Sequence, residues 1–158
     1  KKSDEKLVKF MRSRNIKYIR GELDNVAKRL AVSAKKNKAK FFLRINADSP
    51  LIDFVLIDKA INIHKKNKSI DLITNVFPRT FPPGQSIEII KTKILEKNIK
   101  YMSKDEKEHV TKYFYKNNSK FKIINFKCPK HYKFKNIKKM TIDYKSDLKK
   151  IIKIINDN

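Results

Sequence analysis

The sequence predicts an α/β fold, a three-layer sandwich with a mostly parallel sheet covered by helices on both faces. Three observations carry that expectation. Short apolar, strand-like runs alternate along the chain with segments of helical periodicity, the order of a sheet built from strand–helix units. Phe41-Phe42-Leu43-Arg44-Ile45 is continuous and mostly apolar, as a strand buried on both faces should be. The 158 residues suit one domain over 1–158, and no apolar run approaches the roughly 20 residues of a membrane span.

Taken in order, Leu7, Phe10 and Met11 predict a short helix ending near Arg14, followed by a small strand at Lys17-Tyr18-Ile19. Asp24 is placed to cap a helix whose apolar face is Val26, Ala27, Leu30, Ala31 and Ala34. After the strand at 41–45, Asp53 is placed to cap a helix carrying Ile57, Ala60, Ile61 and His64 at i, i+3, i+4, i+7. Ile70 to Ile73 reads as a strand, 77–84 as a Pro-rich loop, and Ser86 to Ile90 as a strand. Thr92 to Asn98 and Glu106 to Tyr115 read as helices, Phe121 to Phe126 and Lys139 to Ile142 as strands. A last helix carries Leu148, Ile151, Ile152 and Ile155 on one face.

The chain holds 40 Lys+Arg against 16 Asp+Glu, a net charge of +24. Of the basic residues 34 are Lys and 6 are Arg, beside 22 Ile and 14 Asn. Lys, Ile and Asn share A/T-rich codons, so coding composition alone is able to produce much of the excess. Proteins that read bases lean on the planar fork of Arg. The scattered lysines therefore predict a solvated basic surface that attracts polyanions at low salt, and no specific nucleic-acid partner. The single cysteine, Cys128, excludes an internal disulfide and a Cys-based zinc cluster. The opening residues show no apolar signal core, so a cytoplasmic location is the default expectation.

In mostly parallel sheets, ligands bind beyond the carboxyl ends of the strands. Asp48 follows the strand at 41–45 in a Pro-containing turn, and Asp143 follows the strand at 139–142. A carboxylate in such a place can hold Mg²⁺, which takes one or two protein carboxylates and leaves room for phosphate oxygens. It can equally cap its own turn. Asp147, in the first turn of the last helix, suits the helix dipole better than chemistry. His64 reads as a packed histidine, and the adjacent Tyr113, Phe114 and Tyr115 as packing residues. Neither a GxGxxG nor a GxxxxGKS phosphate loop occurs.

Five stretches, in order, resemble the cytidylyltransferase family that makes CMP-activated sugars, in its spore-coat polysaccharide and acylneuraminate types. They are Arg20-Gly21-Glu22-Leu23-Asp24-Asn25-Val26, Arg44 through Asp53, Asn75 through Gly84, Glu108-His109-Val110-Thr111, and Thr141-Ile142-Asp143. The resemblance implies a nucleotide-diphosphosugar transferase-like fold and transfer of CMP from CTP to an acidic or modified sugar for surface polysaccharide, releasing pyrophosphate. It implies catalytic Asp48 and Asp143 as the ligands of Mg²⁺, and Arg20, Gly21 and Asp24 beside the nucleotide. It implies Arg79, Glu88 and His109 on the sugar side, and a possible homodimer.

The family's G-x-D-x-E pattern reads Gly84-Gln85-Ser86-Ile87-Glu88 here, and Tyr144-Lys145 replaces its usual Thr-Pro after Asp143. The family also opens with a strand and a Gly-, Arg- and Lys-containing loop that holds the CTP phosphates, and Lys1 lies downstream of that element. The resemblance thus implies an N-terminally truncated, partial domain that turns over CTP poorly by itself. The alternatives are a catalytically inactive partial domain and a basic nucleic-acid-binding protein.

Overall fold

Local sequence accounts for most of the elements in the computed structural model, which describes residues 4–134, 137 and 139–156. Helix α1 spans Glu5–Ser13. Helix α2, Val26–Lys36, buries Ala27, Ala31 and Ala34, and its cap is Asn25, whose side chain accepts from the Lys28 N–H at 3.0 Å. The expected cap, Asp24, sits one residue too early and faces solvent. Strand β1 is Phe41–Arg44. Helix α3, Phe54–Lys66, is capped by Asp53 as the sequence predicts, through the Val55 N–H at 3.0 Å. Strands β2 (Leu72–Thr74) and β3 (Glu88–Lys91) follow, the second running straight into α4, Thr92–Asn98.

The helix expected over 106–115 is two helices. A capping box between Ser103 and Glu106 starts α5, Lys104–Glu108, early, and the chain breaks at His109-Val110 before α6, Thr111–Lys116. Strand β4 is Ile123–Asn125 and helix α7 is Lys145–Asn156. Of the apolar face predicted for α7, Ile151 is buried while Leu148, Ile152 and Ile155 are exposed. Among the described residues no helix is long and apolar enough to cross a membrane.

The sheet corrects the expected fold class. Its order is β1-β3-β2-β4, with β3 antiparallel to both β1 and β2, and only β2 and β4 parallel. The fold is an α/β sandwich on a mixed, mostly antiparallel sheet. The cause is the connection from β2 to β3: residues 75–87 form a loop with no crossover helix, so the chain returns antiparallel and slots in beside β2. The strands expected at 17–19 and 139–142 are irregular chain. In the second, alternate amides find single partners instead of a ladder: Met140 donates to the Pro83 carbonyl at 2.9 Å and Ile142 to the Asp48 carbonyl at 2.8 Å.

Strand alternation divides the core. Phe42, Leu72, Ile90 and Ile123 face the side covered by α2, α4 and α6, packing with Ala27, Ala31, Leu95 and Phe114. Phe41, Leu43, Ile73, Ile89 and Ile124 face α3, packing with Leu56, Ala60, Phe81 and Phe126.

The loops above the sheet hang on one buried amide. Gln85 is fully buried; its Oε1 accepts from the Asp53 N–H at 2.9 Å and the Tyr132 hydroxyl at 3.1 Å, and its Nε2 donates to the Leu51 carbonyl at 2.7 Å. Beside it, buried Asn75 donates to the Gln85 carbonyl at 2.6 Å and accepts from the Ile87 N–H at 2.9 Å. Gly84, at φ +97°, lets the backbone of Met140 approach so closely that a Cβ there would lie 2.6 Å from the Met140 carbonyl.

Gln85→Leu keeps the volume but strands the Asp53 amide and the Leu51 carbonyl in the core. It should lower the unfolding free energy by about 2–4 kcal/mol in urea melts. Gly84→Ala should cost a comparable amount, from the positive φ and the backbone clash together. A loss below about 0.5 kcal/mol in either variant would contradict this account of the loops.

Candidate functional site

A polar row crosses the sheet at the carboxyl ends of β1, β2 and β4. Pairing register aligns Arg44 with Glu88, Glu88 with Thr74, and Thr74 with Asn125, so all four share the α2/α6 face. Glu88 is 3% exposed, and each of its oxygens has a donor. The Arg44 guanidinium reaches Oε2 at 2.5 Å and the Tyr115 hydroxyl reaches Oε1 at 2.7 Å. Thr74 Oγ1 lies 2.8 Å from the Tyr115 oxygen and accepts from the Val76 N–H at 3.2 Å. Burial and the Glu88 charge hold the Tyr115 phenol far above its usual pKa, so it stays protonated and donates.

Tyr115 also stacks on Phe77, centroids 4.6 Å apart and planes within 8°. Phe77 is held in turn by Asn125, whose Oδ1 accepts from the Phe77 N–H at 3.1 Å while Nδ2 donates to the Pro78 carbonyl at 3.2 Å. The sheet end and the Pro-rich loop thereby form one polar, aromatic floor.

The segments that carry Asp48 and Asp143 touch through their backbones. The Ile142 N–H donates to the Asp48 carbonyl at 2.8 Å, which lays the turn after β1 against the segment leading into Asp143. Asp48 is half-buried and accepts from the Ser49 hydroxyl at 2.9 Å. Asp143 is exposed; its Oδ2 takes the Lys139 ammonium at 2.7 Å and the Thr141 hydroxyl at 3.3 Å. Among the described residues no group of three or more His, Cys, Asp or Glu side chains could enclose a metal. Mg²⁺ asks for less, one or two carboxylates with the remaining positions given to water and phosphate, and a half-buried and an exposed aspartate on touching segments are groups of the kind it takes.

The other predicted site residues lie in three places. Arg20 pairs with Glu5 of α1 at 2.6 Å, and Gly21 packs on the Arg29 side chain, where a Cβ would meet Cγ at 2.9 Å. Asp24 is exposed just before α2, so this loop is organised by α1 and α2. Arg79 projects from the Pro-rich loop and donates to Ser86 Oγ at 3.1 Å, two residues before Glu88. His109 ends α5 in the open, its Nε2 3.9 Å from Asp105.

The sequence gives no functional reason to single out Arg44, Gln85 or Lys139, and it marks Tyr115 for packing alone. The signal for Arg44 was available: a lone charge inside an apolar strand run has to find a partner. Asp147 lies in the first turn of α7 as expected, but it does more than complement the dipole. Its Oδ2 accepts from the Asp143 N–H at 3.0 Å, the Tyr144 N–H at 3.1 Å and the Lys139 ammonium at 2.7 Å. Lys139 first, then these amides, lower its pKa to about 2.

Two outcomes follow from these pairings. Arg44→Met leaves Glu88 buried without a counter-charge and should cost about 3–5 kcal/mol, most of it recovered in Arg44→Met/Glu88→Leu; equal losses in the single and double variants would refute the pairing. Asp147, with its depressed pKa, contributes stability that is complete above its usual 3.8 and disappears as pH falls through about 2. Urea midpoints measured between pH 5 and pH 2 should fall less steeply for Asp147→Asn than for the natural chain.

Comparison with known proteins follows the same lines. A protein of Methanocaldococcus jannaschii described as uncharacterized is 31% identical over 150 residues, covering 94% of this chain and 60% of that protein. The chain therefore spans about three-fifths of that curated relative's length. The solved cytidylyltransferase of Leptospira borgpetersenii superposes with a TM-score of 0.83 at 26% identity, over 98% of this chain and 72% of that one. A CMP:2-keto-3-deoxy-manno-octonic acid synthetase, solved with CTP, shares the fold with a TM-score of 0.63 at 12% identity, over 93% of this chain and 75% of that one. A sequence profile of the family described as Cytidylyltransferase matches residues 2–158. The chain belongs to the cytidylyltransferase family.

Proposed function

We propose that this domain transfers a cytidylyl group from CTP to a hydroxyl of an acidic or modified sugar, releasing pyrophosphate. The supporting observation is the Asp48–Ile142 backbone bond, which brings the turn after β1 against the segment that precedes Asp143, in a chain of this family. Asp48 and Asp143 would hold Mg²⁺. Such an ion, when bound, supplies charge neutralisation on the triphosphate and alignment of the α-phosphorus.

The reaction forms one bond, from the sugar oxygen to the α-phosphorus, and breaks the α–β anhydride. The hydroxyl proton is lost and pyrophosphate carries away the leaving charge. Positioning and charge stabilisation are most of what a protein can contribute to such a transfer. The residues here suit that work. Glu88 has no free oxygen, so its part is to fix Arg44 and Tyr115 at the sheet end. Arg79 and His109 are exposed; in this reading they serve the sugar side, where a guanidinium is the natural partner of a sugar carboxylate. Arg20, Gly21 and Asp24 form the nucleotide-side loop in this reading. The reading keeps the sugar class suggested by the 2-keto acid in the name of the solved synthetase.

The experiment is pyrophosphate release with CTP, Mg²⁺ and a panel of 2-keto acid sugars, on the protein at its full natural length. Asp48→Asn and Asp143→Asn should each lower kcat by at least about 100-fold while thermal melting stays within a few degrees. Near-normal Mg²⁺-dependent turnover in both variants would sink the assignment.

A further inference from the structure

Lys139 occupies an unusual position. Its ammonium bridges two carboxylates, 2.7 Å from Asp143 Oδ2 and 2.7 Å from Asp147 Oδ2. The two partners are not equivalent. Asp147 is one-tenth exposed, and two backbone N–H groups at the start of α7 already point at the oxygen that Lys139 reaches. Asp143 is half exposed, and among the described residues its side chain meets Lys139 and the Thr141 hydroxyl at 3.3 Å. The ammonium is therefore anchored on Asp147, and Asp143 is the partner it can release.

We propose that Lys139 is a positioning residue that competes with a divalent cation for Asp143: it holds the carboxylate toward α7 and yields it when the cation arrives. The inference rests on the reading of Asp143 as a metal-holding residue. One cation shared by two carboxylates leaves a net negative charge, so the locus still attracts a second cation within a chain that carries +24 overall. Lys139 lowers that attraction enough to keep binding of the metal alone weak. A cation that arrives with a triphosphate brings anionic oxygens for the ammonium to turn to, so metal and nucleotide are favoured together. The Lys139 ammonium also lies over the Tyr144 ring, 5.6 Å from its centroid, a third contact that holds it at this locus as it changes partners.

The test is Mn²⁺ binding followed by electron paramagnetic resonance, without nucleotide, on the full natural chain. Lys139→Gln should bind Mn²⁺ about tenfold more tightly than the natural protein, a gain of about 1.4 kcal/mol. Lys139→Arg, which preserves the bridge, should show no gain, and Lys139→Gln/Asp143→Asn should lose it. If Asp143→Asn weakens Mn²⁺ binding but Lys139→Gln does not strengthen it, the competition is refuted while the metal reading stands. If Asp143→Asn leaves Mn²⁺ binding unchanged, the metal reading falls and the competition falls with it. Because Lys139→Gln also removes the partner of a nearly buried Asp147, a measurement on the unaltered chain accompanies it. Lysine-selective ¹⁵N NMR should show the Lys139 ammonium signal, assigned with Lys139→Arg, shifting saturably with Mg²⁺. An unresponsive signal at saturating Mg²⁺ would overturn the proposal.

Discussion

The structure above the sheet depends on the buried side chain of Gln85. Its amide joins the turn after β1, the loop between β2 and β3, and the segment around Tyr132, three pieces of chain far apart in sequence. A primary amide can do this because it carries donors and acceptors on one small plane, and burial makes each unmade bond costly. Gly84 then brings Met140 against the same loop, and Met140 donates to Pro83. Two residues later Ile142 reaches Asp48. The contact of the Asp48 turn with the segment before Asp143 is thus the end of a chain of contacts that starts at Gln85. The position where the family commonly carries an acid is Ser86, and here that hydroxyl accepts from Arg79.

The second constraint is the ion pair of Arg44 and Glu88. An antiparallel β3 lodged between β1 and β2 places its first residue at the carboxyl ends of its neighbours, so Glu88 enters the core where the strands open into loops. A buried carboxylate needs compensation, and it comes from Arg44 on one side and Tyr115 on the other. Tyr115 is fixed by this demand, and Phe77 is fixed by Tyr115. The aromatic floor of the site therefore owes its geometry to an electrostatic requirement of the sheet.

What could be read from the sequence was local. Asp53 caps α3, and Ala27, Ala31 and Ala34 mark the buried face of α2, because caps and apolar spacing act within a turn or two. Strand direction is different: it is set by the connection. The absence of any helical period between Thr74 and Glu88 carried the antiparallel return, but the alternation elsewhere in the chain pointed to a parallel sheet. Reading Tyr113, Phe114 and Tyr115 as packing is true of the first two, which meet edge to face at 5.7 Å in the core. It holds for Tyr115 as well, which packs against the same core and on Phe77, but it misses the hydroxyl, which lies opposite a polar row visible only once the strands are in register. The contact between the Asp48 turn and the Ile142 segment was illegible for the same reason, since one backbone bond between distant parts of the chain makes it.

The arginines refine the meaning of the basic composition. Each has a definite contact: Arg12 with the Tyr18 hydroxyl, Arg14 over the Phe10 ring, Arg20 with Glu5, Arg29 with the carbonyls of Glu22 and Leu23, Arg44 with Glu88, and Arg79 with Ser86. A planar, forked cation has been placed where its geometry is used within the fold. Many lysines make no such demand and face water. Reading bases in a groove calls for forked donors presented outward, and here five of the six are committed to hydrogen bonds or ion pairs inside the chain, with Arg14 laid on a ring. The net charge of +24 therefore acts as a diffuse field that draws anions such as a triphosphate toward the protein. Against that diffuse field, the polar groups with fixed positions are the ones that Gln85 and Glu88 hold in place.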